Sequence, residues 1–321
     1  MTMITLRQLR YFEALSRHLH FGRAANAVAV SQPALSMQIR ELEATLGVAL
    51  FERRPNALRL TAEGREIARR ARNILSKTRD LVDYGRSTGE VLSGPLNLGI
   101  IPSIAPYLLP RILPTLNRAH PRVELQVRET LTQSLVQELM QGDLDVILAA
   151  LPIAGADLET LPLFQDRFLL AVQSTSDLDE RRRVDPATVE GSALLLLEEG
   201  HCLRDQALNY CEGLRPSGRA GFGATSLSTV MQMVAAGYGV TLLPELCASV
   251  EVRDDRVALL RFADPQPQRT VGLAWRKSSP RGHDFAALGA CIMAATEAPA
   301  IAPVPETGPQ PDDTAAIGIN A

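Results

Sequence analysis

The chain has 321 residues, 46% of them hydrophobic and 21% charged, with a formal net charge of −3 and 4 cysteines. That length can bury the cores of two or three domains, and so few cysteines exclude a disulfide-built scaffold. No apolar run approaches the ~18 residues of a membrane span, and Arg7, Arg10 and Glu13 interrupt the N-terminus where a signal peptide would be apolar, so a cytoplasmic chain with no membrane partner is expected.

Charge is unevenly divided. Residues 1–90 hold 15 Lys and Arg against 9 Asp and Glu, a net +6, which leaves −9 on the remainder. The basic part is the one expected to meet phosphate. Aromatic content of 4% provides no stacking platform for single-stranded nucleic acid.

Thr5 and Gln8 have the spacing of a capping box, and Leu6, Leu9, Phe12 and Leu15 mark the apolar face of a first helix. Alanine-rich 23–28 signals a second. Ser31 suits the cap of a third, with Pro33 tolerated in its first turn, a buried stripe at Leu35, Ile39, Leu42 and Leu46, and a stop at Gly47. Its other side carries Gln32, Ser36, Met37, Gln38 and Arg40. Two short helices and a capped third read as helix-turn-helix, although a plain helical bundle would show the same periodicity. Residues 51–60 read as two strands about a Pro55-Asn56 turn, a wing offering Arg53, Arg54 and Arg59 to phosphates.

The run AANAVAVSQPALSMQIRELEATLGVALFER closely resembles the DNA-binding signature of LysR-type transcription regulators over its whole length. That resemblance implies a winged helix-turn-helix domain, largely helical, at 1–61, whose third helix enters the major groove of double-stranded DNA. Ser31, Gln32, Pro33, Ser36, Gln38 and Arg40 would then face the bases, and Arg53 and Arg54 the backbone. Met37 departs from the polar or small residue frequent in the family.

Residues 61–89 are polar and arginine-rich, yet Leu60, Gly64, Ile67, Ala71, Ile74, Thr78 and Leu81 alternate steps of four and three. This is a coiled-coil seam, with an isolated solvated helix as the bland alternative. The seam predicts a linker helix at 62–90 that makes a homodimer, and hence a pseudo-palindromic operator with two half-sites. Family resemblance extends the assembly to a homotetramer.

Residues 89–95 read as a hinge. Beyond it, strand-like runs at 96–101, 123–129, 145–151, 168–172, 194–197, 240–243 and 271–275 alternate with helical stretches at 107–117, 133–141 and 226–236, the pattern of an α/β domain with mostly parallel sheets. The resemblance implies an effector domain at 91–296 made of two Rossmann-like subdomains of the periplasmic-binding-protein type. Subdomain I takes 91–164 and 269–296 and subdomain II takes 165–268, with crossovers near 163–166 and 265–270. Pro- and Ala-rich 297–321 lacks periodicity and is expected to be disordered. Ligands of open α/β sheets bind beyond the carboxyl ends of strands, where Ser103 and Thr132 offer hydroxyls, although each alone would more often cap a helix.

Two cysteines share the stretch LEEGHCLRDQALNYC at 197–211. Gly200 breaks the apolar run before it, and Leu203, Ala207 and Leu208 recur at helical spacing, so Cys202 falls at or just before a helix start. Free amides, the helix dipole and nearby Arg204 favour a thiolate there. An unbroken helix would hold the α-carbons of Cys202 and Cys211 about 13.5 Å apart, against about 7 Å for a disulfide. The two either never bond or bond only once the helix unwinds, which would be a redox switch; two inert buried cysteines are the alternative. Cys247 and Cys291, in apolar surroundings, are expected to be inert.

EEGHCLRDQALNYC closely resembles the sensing segment of the hydrogen-peroxide-responsive LysR-type regulators. The resemblance implies Cys202 as sensing thiol, Cys211 as its resolving partner, and a peroxide pocket of Ser103, Thr132, His201, Asp205 and Arg276. IPSIAPYLLP and RETLTQSL match the segments that supply its hydroxyls, with Ser103 where threonine is usual, and GLAWRKSSP matches the one that brings an arginine. It further implies no cofactor or metal, control of oxidative-stress defence genes with RNA polymerase as partner, and a glutaredoxin or thioredoxin reductant. A LysR-type regulator that answers a small metabolite between its subdomains is the alternative. A thiol peroxidase is the enzymatic one, disfavoured by the basic helix-turn-helix, so a non-enzymatic chain is expected. A solute-binding protein fits the α/β half but not the N-terminus.

Overall fold

In a computed structural model the described residues are 3–54, 57–86, 90–153, 157–174, 183–184, 193–210, 223–253 and 255–297. Cys211, the Pro55-Asn56 turn, residues 87–89 and residues 298–321 lie outside them. Side-chain caps start each N-terminal helix. Thr5 accepts from the Gln8 amide while Gln8 accepts from the Thr5 N–H at 2.9 Å, opening α1 (Leu6–His18). The His20 ring accepts from the Arg23 amide ahead of α2 (Phe21–Ala27), and Ser31 from the Ala34 amide ahead of α3 (Gln32–Leu46), which Gly47 closes at φ 71°. Leu35, Ile39 and Leu42 pack with Leu9, Phe12 and Leu15 of α1 in one core, with Leu46 partly buried at its margin. The wing follows as β1 (Phe51–Arg54) and β2 (Ala57–Leu60), antiparallel, with Phe51 opposite Leu60.

The linker helix α4 (Ala62–Arg86) corrects the expected seam. Gly64 and Ala71 face inward with Ala68 and Leu75, and a Cβ on Gly64 would stand 2.1 Å from the Leu50 carbonyl oxygen. Ile74 and Leu81 are exposed, with Val82 beside them. The seam splits because α4 is both the closing helix of the N-terminal core and an outward surface, and one spacing pattern ran through both. The described part of the expected hinge is anchored: Leu92 is buried and its N–H donates to Asp284 at 2.8 Å, on α10 (Gly282–Glu297). Glu297, placed in the expected tail, is the last residue of that helix.

The effector half begins with β3 (Gly94–Ile100), α5 (Ala105–Ala119), β4 (Val123–Glu129), α6 (Thr132–Gln141) and β5 (Val146–Leu151), with β3 parallel to both β4 and β5. β6 (Leu158–Gln173) then runs antiparallel to β11 (Gln268–Arg276), which is antiparallel to β5. Beyond Arg167 the same strand pairs antiparallel with β9 (Thr241–Pro244) and β10 (Val257–Arg261). The seven-stranded sheet, in the order β10-β6-β11-β5-β3-β4 with β9 on β6, is therefore mixed, not mostly parallel. The difference is β6, foreseen only at 168–172: its first half is partly exposed and carries Pro162, so it lacks the apolar run of a buried strand. Phe168 donates to the Pro267 carbonyl at 2.9 Å, so the chain leaves one half of the domain and returns to it on adjacent strands.

One core packs β3, β5 and β11 against α5 and α10. A second gathers the end of β6, β9, α7 (Cys202–Tyr210) and α8 (Leu227–Ala235). The parallel pair β7 (Leu196–Leu197) and β8 (Gly223–Ala224), a 3-10 turn at Glu245–Cys247, and α9 (Ala248–Glu251) pack on this second core. Among the described residues no helix is long and apolar enough to cross a membrane.

Gly64→Ala is expected to lower the unfolding free energy by about 3 kcal/mol, because the new methyl meets backbone and not a yielding side chain. Gly85→Ala on the same helix, where a Cβ meets nothing within 4 Å, should be neutral or stabilise by up to about 1 kcal/mol. Urea midpoints at unchanged slope check both.

Candidate functional site

Three chain reversals meet at Cys202. β3 leaves its sheet through Ile101 and Pro102 into a turn that buries Ser103 ahead of α5. α6 starts at Thr132 behind an N-cap, Leu131, that gives no side-chain bond, so the Thr132 hydroxyl is not spent as a cap. Gly200, at φ 94°, adopts the left-handed turn that delivers His201 and then Cys202, the first residue of α7. Ser103, Thr132, His201 and half-buried Cys202 share the walls of a cavity of about 10 Å³. That is near the lower limit for a single water molecule, so nothing of metabolite size fits beside the sulfur. Pro102, Ser103 and His201 are also walls of a cleft of about 470 Å³ that reaches Tyr107, Glu251 and Arg253. A third cavity, about 760 Å³ between α1, α4 and the effector half, contains no cysteine and lies away from this chemistry.

Arg269, which the sequence reading passed over, fixes Ser103. Its guanidinium donates to the Ser103 hydroxyl at 2.8 Å and to the Ser103 carbonyl at 3.1 Å, and its Nε donates to Asp166 at 2.9 Å. Asp166 accepts in turn from the Leu246 amide at 3.0 Å. Because the Ser103 oxygen accepts from Arg269, its own hydrogen is left to donate into the cavity. Arg276, expected beside the thiol, is elsewhere: it donates to the Leu139 and Leu144 carbonyls at 2.7 and 2.9 Å and to Asp80 of α4 at 3.0 Å. The two arginines are seven residues apart on β11, about 23 Å at a strand's rise, so they serve opposite ends of it. An arginine where crossing strands would bury it, hence in need of a counter-ion, was the signal available at 265–270.

Asp205 is exposed and is not among the walls of the thiol cavity. α7 buries Leu203 and Ala207, and two residues on from Leu203 is about 200° around the helix, the solvent side. Arg204 donates to the Leu197 carbonyl at 3.0 Å, bracing the turn instead of standing free beside sulfur. Burial pushes the His201 imidazole below its usual 6.5, with the Glu198 carboxylate opposing. Burial raises the Cys247 and Cys291 thiols and keeps them protonated; Cys247 donates to the Ser103 carbonyl at 3.6 Å. From Cys202 to Tyr210 the helix rises about 12 Å. No bridge to a cysteine following Tyr210 is compatible with an intact α7.

On α3, Gln32, Pro33, Met37 and Arg40 are exposed, with Met37 at 53%. Ser31 is occupied as the cap at 3.4 Å, Ser36 accepts from Arg40 at 3.3 Å, and Gln38 donates to Glu41 at 2.7 Å. The side chains of Arg53 and Arg54 lie outside the described residues. Arg269→Ala should cost about 3–5 kcal/mol in chemical denaturation, because it strands Asp166 as a buried charge; Arg269→Met with Asp166→Leu should recover most of that loss.

The model of the bacterial regulatory helix-turn-helix protein, lysR family, matches residues 6–65, and that of the LysR substrate binding domain matches 89–297. The chain is 40% identical over 291 residues to the DNA-binding transcriptional dual regulator OxyR of Escherichia coli K12, covering 91% of this chain and 95% of that one. Among solved structures it matches a full-length OxyR cysteine variant from Pseudomonas aeruginosa at a TM-score of 0.76 and 36% identity, over 91% of this chain and 95% of that one. It also matches a hydrogen peroxide-bound OxyR cysteine variant from Corynebacterium glutamicum at 0.64 and 33% identity, over 92% and 93%. The chain belongs to the LysR family of bacterial helix-turn-helix transcription regulators, in the group that contains OxyR.

Proposed function

We propose that the protein is a peroxide-sensing transcription regulator switched by a reversible Cys202–Cys211 disulfide. The observation that carries this reading is a half-buried cysteine at a helix start, on a cavity of about 10 Å³ walled by two hydroxyl-bearing residues and a histidine. A metabolite does not fit there, whereas hydrogen peroxide, at two heavy atoms and arriving through the adjoining cleft, needs only slight widening of the walls. The Cys202 thiolate attacks one peroxide oxygen, the O–O bond breaks, and sulfur becomes a sulfenic acid while the other oxygen leaves as hydroxide and takes a proton to become water. The Ser103 hydroxyl, held by Arg269, donates to the departing oxygen where negative charge develops. Cys211 then attacks the sulfenic sulfur, the S–S bond forms and a second water leaves, so two thiols are oxidised and one peroxide is reduced. α7 must open for this step, which favours a switch thrown once over the continuous turnover of a thiol peroxidase.

Residues 1–61 would read DNA, 62–90 join the dimer, and 91–296 sense. Exposed Ile74, Leu81 and Val82 on α4 support a homodimer, whose two α3 helices suit a pseudo-palindromic duplex. A homotetramer, contact with RNA polymerase, reduction by a glutaredoxin or thioredoxin, control of oxidative-stress defence genes and a cytoplasmic setting complete the reading. Its support is kinship with OxyR and with proteins called hydrogen peroxide-inducible genes activators. A second reading, a metabolite-responsive regulator, draws on the cleft of about 470 Å³ with Tyr107, Glu251 and Arg253.

Mass spectrometry of thiol-trapped protein after stoichiometric peroxide separates the two. A Cys202–Cys211 bridge is expected in the parent, and a trappable sulfenic acid at Cys202 in Cys211→Ser. Thiols that stay reduced while peroxide persists would refute the redox reading in favour of the cleft.

A further inference from the structure

α6 has the thiol cavity at one end and the DNA-binding half at the other. Thr132 and the N-cap Leu131 wall the cavity beside Cys202. Leu131 also leans on the turn that launches α7, since a Cβ built on Gly200 would stand 3.1 Å from Leu131 Cδ1. Ten residues of helix, about 15 Å, separate that end from the other. There the last turn is held by cations from two directions. Arg79 of α4 donates to the Gln141 carbonyl at 2.9 Å and to that of Gly142. Arg276 of β11 donates from Nη1 to the Leu139 and Leu144 carbonyls and from Nη2 to Asp80 of α4, whose second oxygen accepts from Ser278 at 2.9 Å. Just past the helix, Asp143 pairs with Arg17 of α1 at 2.6 Å.

These contacts differ in weight. Carbonyls at a helix C-terminus lack intrahelical partners and form the negative end of its dipole, so guanidinium donors bind them well. Asp80 and Arg276 have side chains only 10% and 6% exposed, and parting them strands a buried charge. The Arg17–Asp143 pair, 49% and 29% exposed, adds little. The end of α6 and the adjoining turns of α4 are thus constrained to move together.

We propose that α6 is the strut that carries the state of Cys202 to the DNA-binding half, with Arg79 and the Asp80–Arg276 pair as its coupling to α4. The proposal rests on the redox reading of Cys202. When α7 opens, Leu131 and Thr132 lose a wall, α6 resettles as a rod, and α4 follows at the gripped end. In a dimer joined through α4 this resets one α3 helix against the other.

The test uses the full-length chain and a duplex that it selects from random sequence. Arg79→Gln, Asp80→Leu and Arg276→Met together remove the grip and both buried charges. Peroxide should still form the Cys202–Cys211 bridge at a rate within about twofold of the parent, but the change of DNA footprint seen in the parent on oxidation should be lost. A footprint change as large as the parent's, with the bridge formed, overturns the strut. A second arm needs no redox chemistry and no triple variant: in the reduced protein, Leu131→Ala should speed hydrogen exchange at α4 amides 76–82 at least fivefold, and unaltered exchange there overturns the proposal. Should the parent form no bridge, the redox reading fails, and the exchange arm alone decides whether α6 couples the two ends.

Discussion

Two opposite charges lie out of water where the two halves of the effector domain exchange strands. Arg269 and Asp166, with side chains 1% and 3% exposed, face each other across β11 and β6. Either alone would be a buried charge without a partner, costly enough to displace the strands. Together they use their remaining capacity on neighbours, Arg269 on both oxygens of Ser103 and Asp166 on the amide of Leu246. One ion pair therefore ties the two crossing strands to the turn after β3 and the turn after β9. Ser103, and through it one wall of the thiol cavity, is only as well placed as this pair.

Against that fixed frame α7 is weakly held. It buries Leu203 and Ala207, whereas α8, of the same nine-residue length, buries five residues. Gln206 adds a buried side-chain oxygen with no partner among the described residues, a cost of the closed form. Segments with little buried apolar surface open first, on scales well below global unfolding. A sulfur on such a helix, beside a hydroxyl held rigidly by buried charge, pairs a well-positioned reaction with an element able to change shape afterwards. Under the proposed function, stability is concentrated where the chemistry needs geometry and withheld where the response needs motion.

What the sequence disclosed follows from how local each feature is. The capping box at Thr5 and Gln8, the Ser31 cap, the stripe on α3 and the position of Cys202 depend on residues within one turn of one another, and spacing reveals them. The half-buried start of β6 was missed because its partner, β11, is a hundred residues away and supplies what the run itself lacks. Asp205 was placed by likeness of segment, but the burial of Leu203 and Ala207 turns it to solvent. Arg276 and Arg269 illustrate the same limit: both are buried arginines on one strand, and which of them nears Ser103 depends on the direction in which β11 runs between the crossover and α4.

The central claim is that a hydroxyl held by buried charge helps Cys202 to reduce peroxide. The most direct test is the second-order rate of Cys202 oxidation, followed in a Cys211→Ser background so that only the first step is read. Ser103→Ala should slow it by about a hundredfold, as loss of one donor to a developing oxyanion does, and Ser103→Thr, which keeps the hydroxyl, should restore it. An alanine variant as fast as its parent would contradict the account.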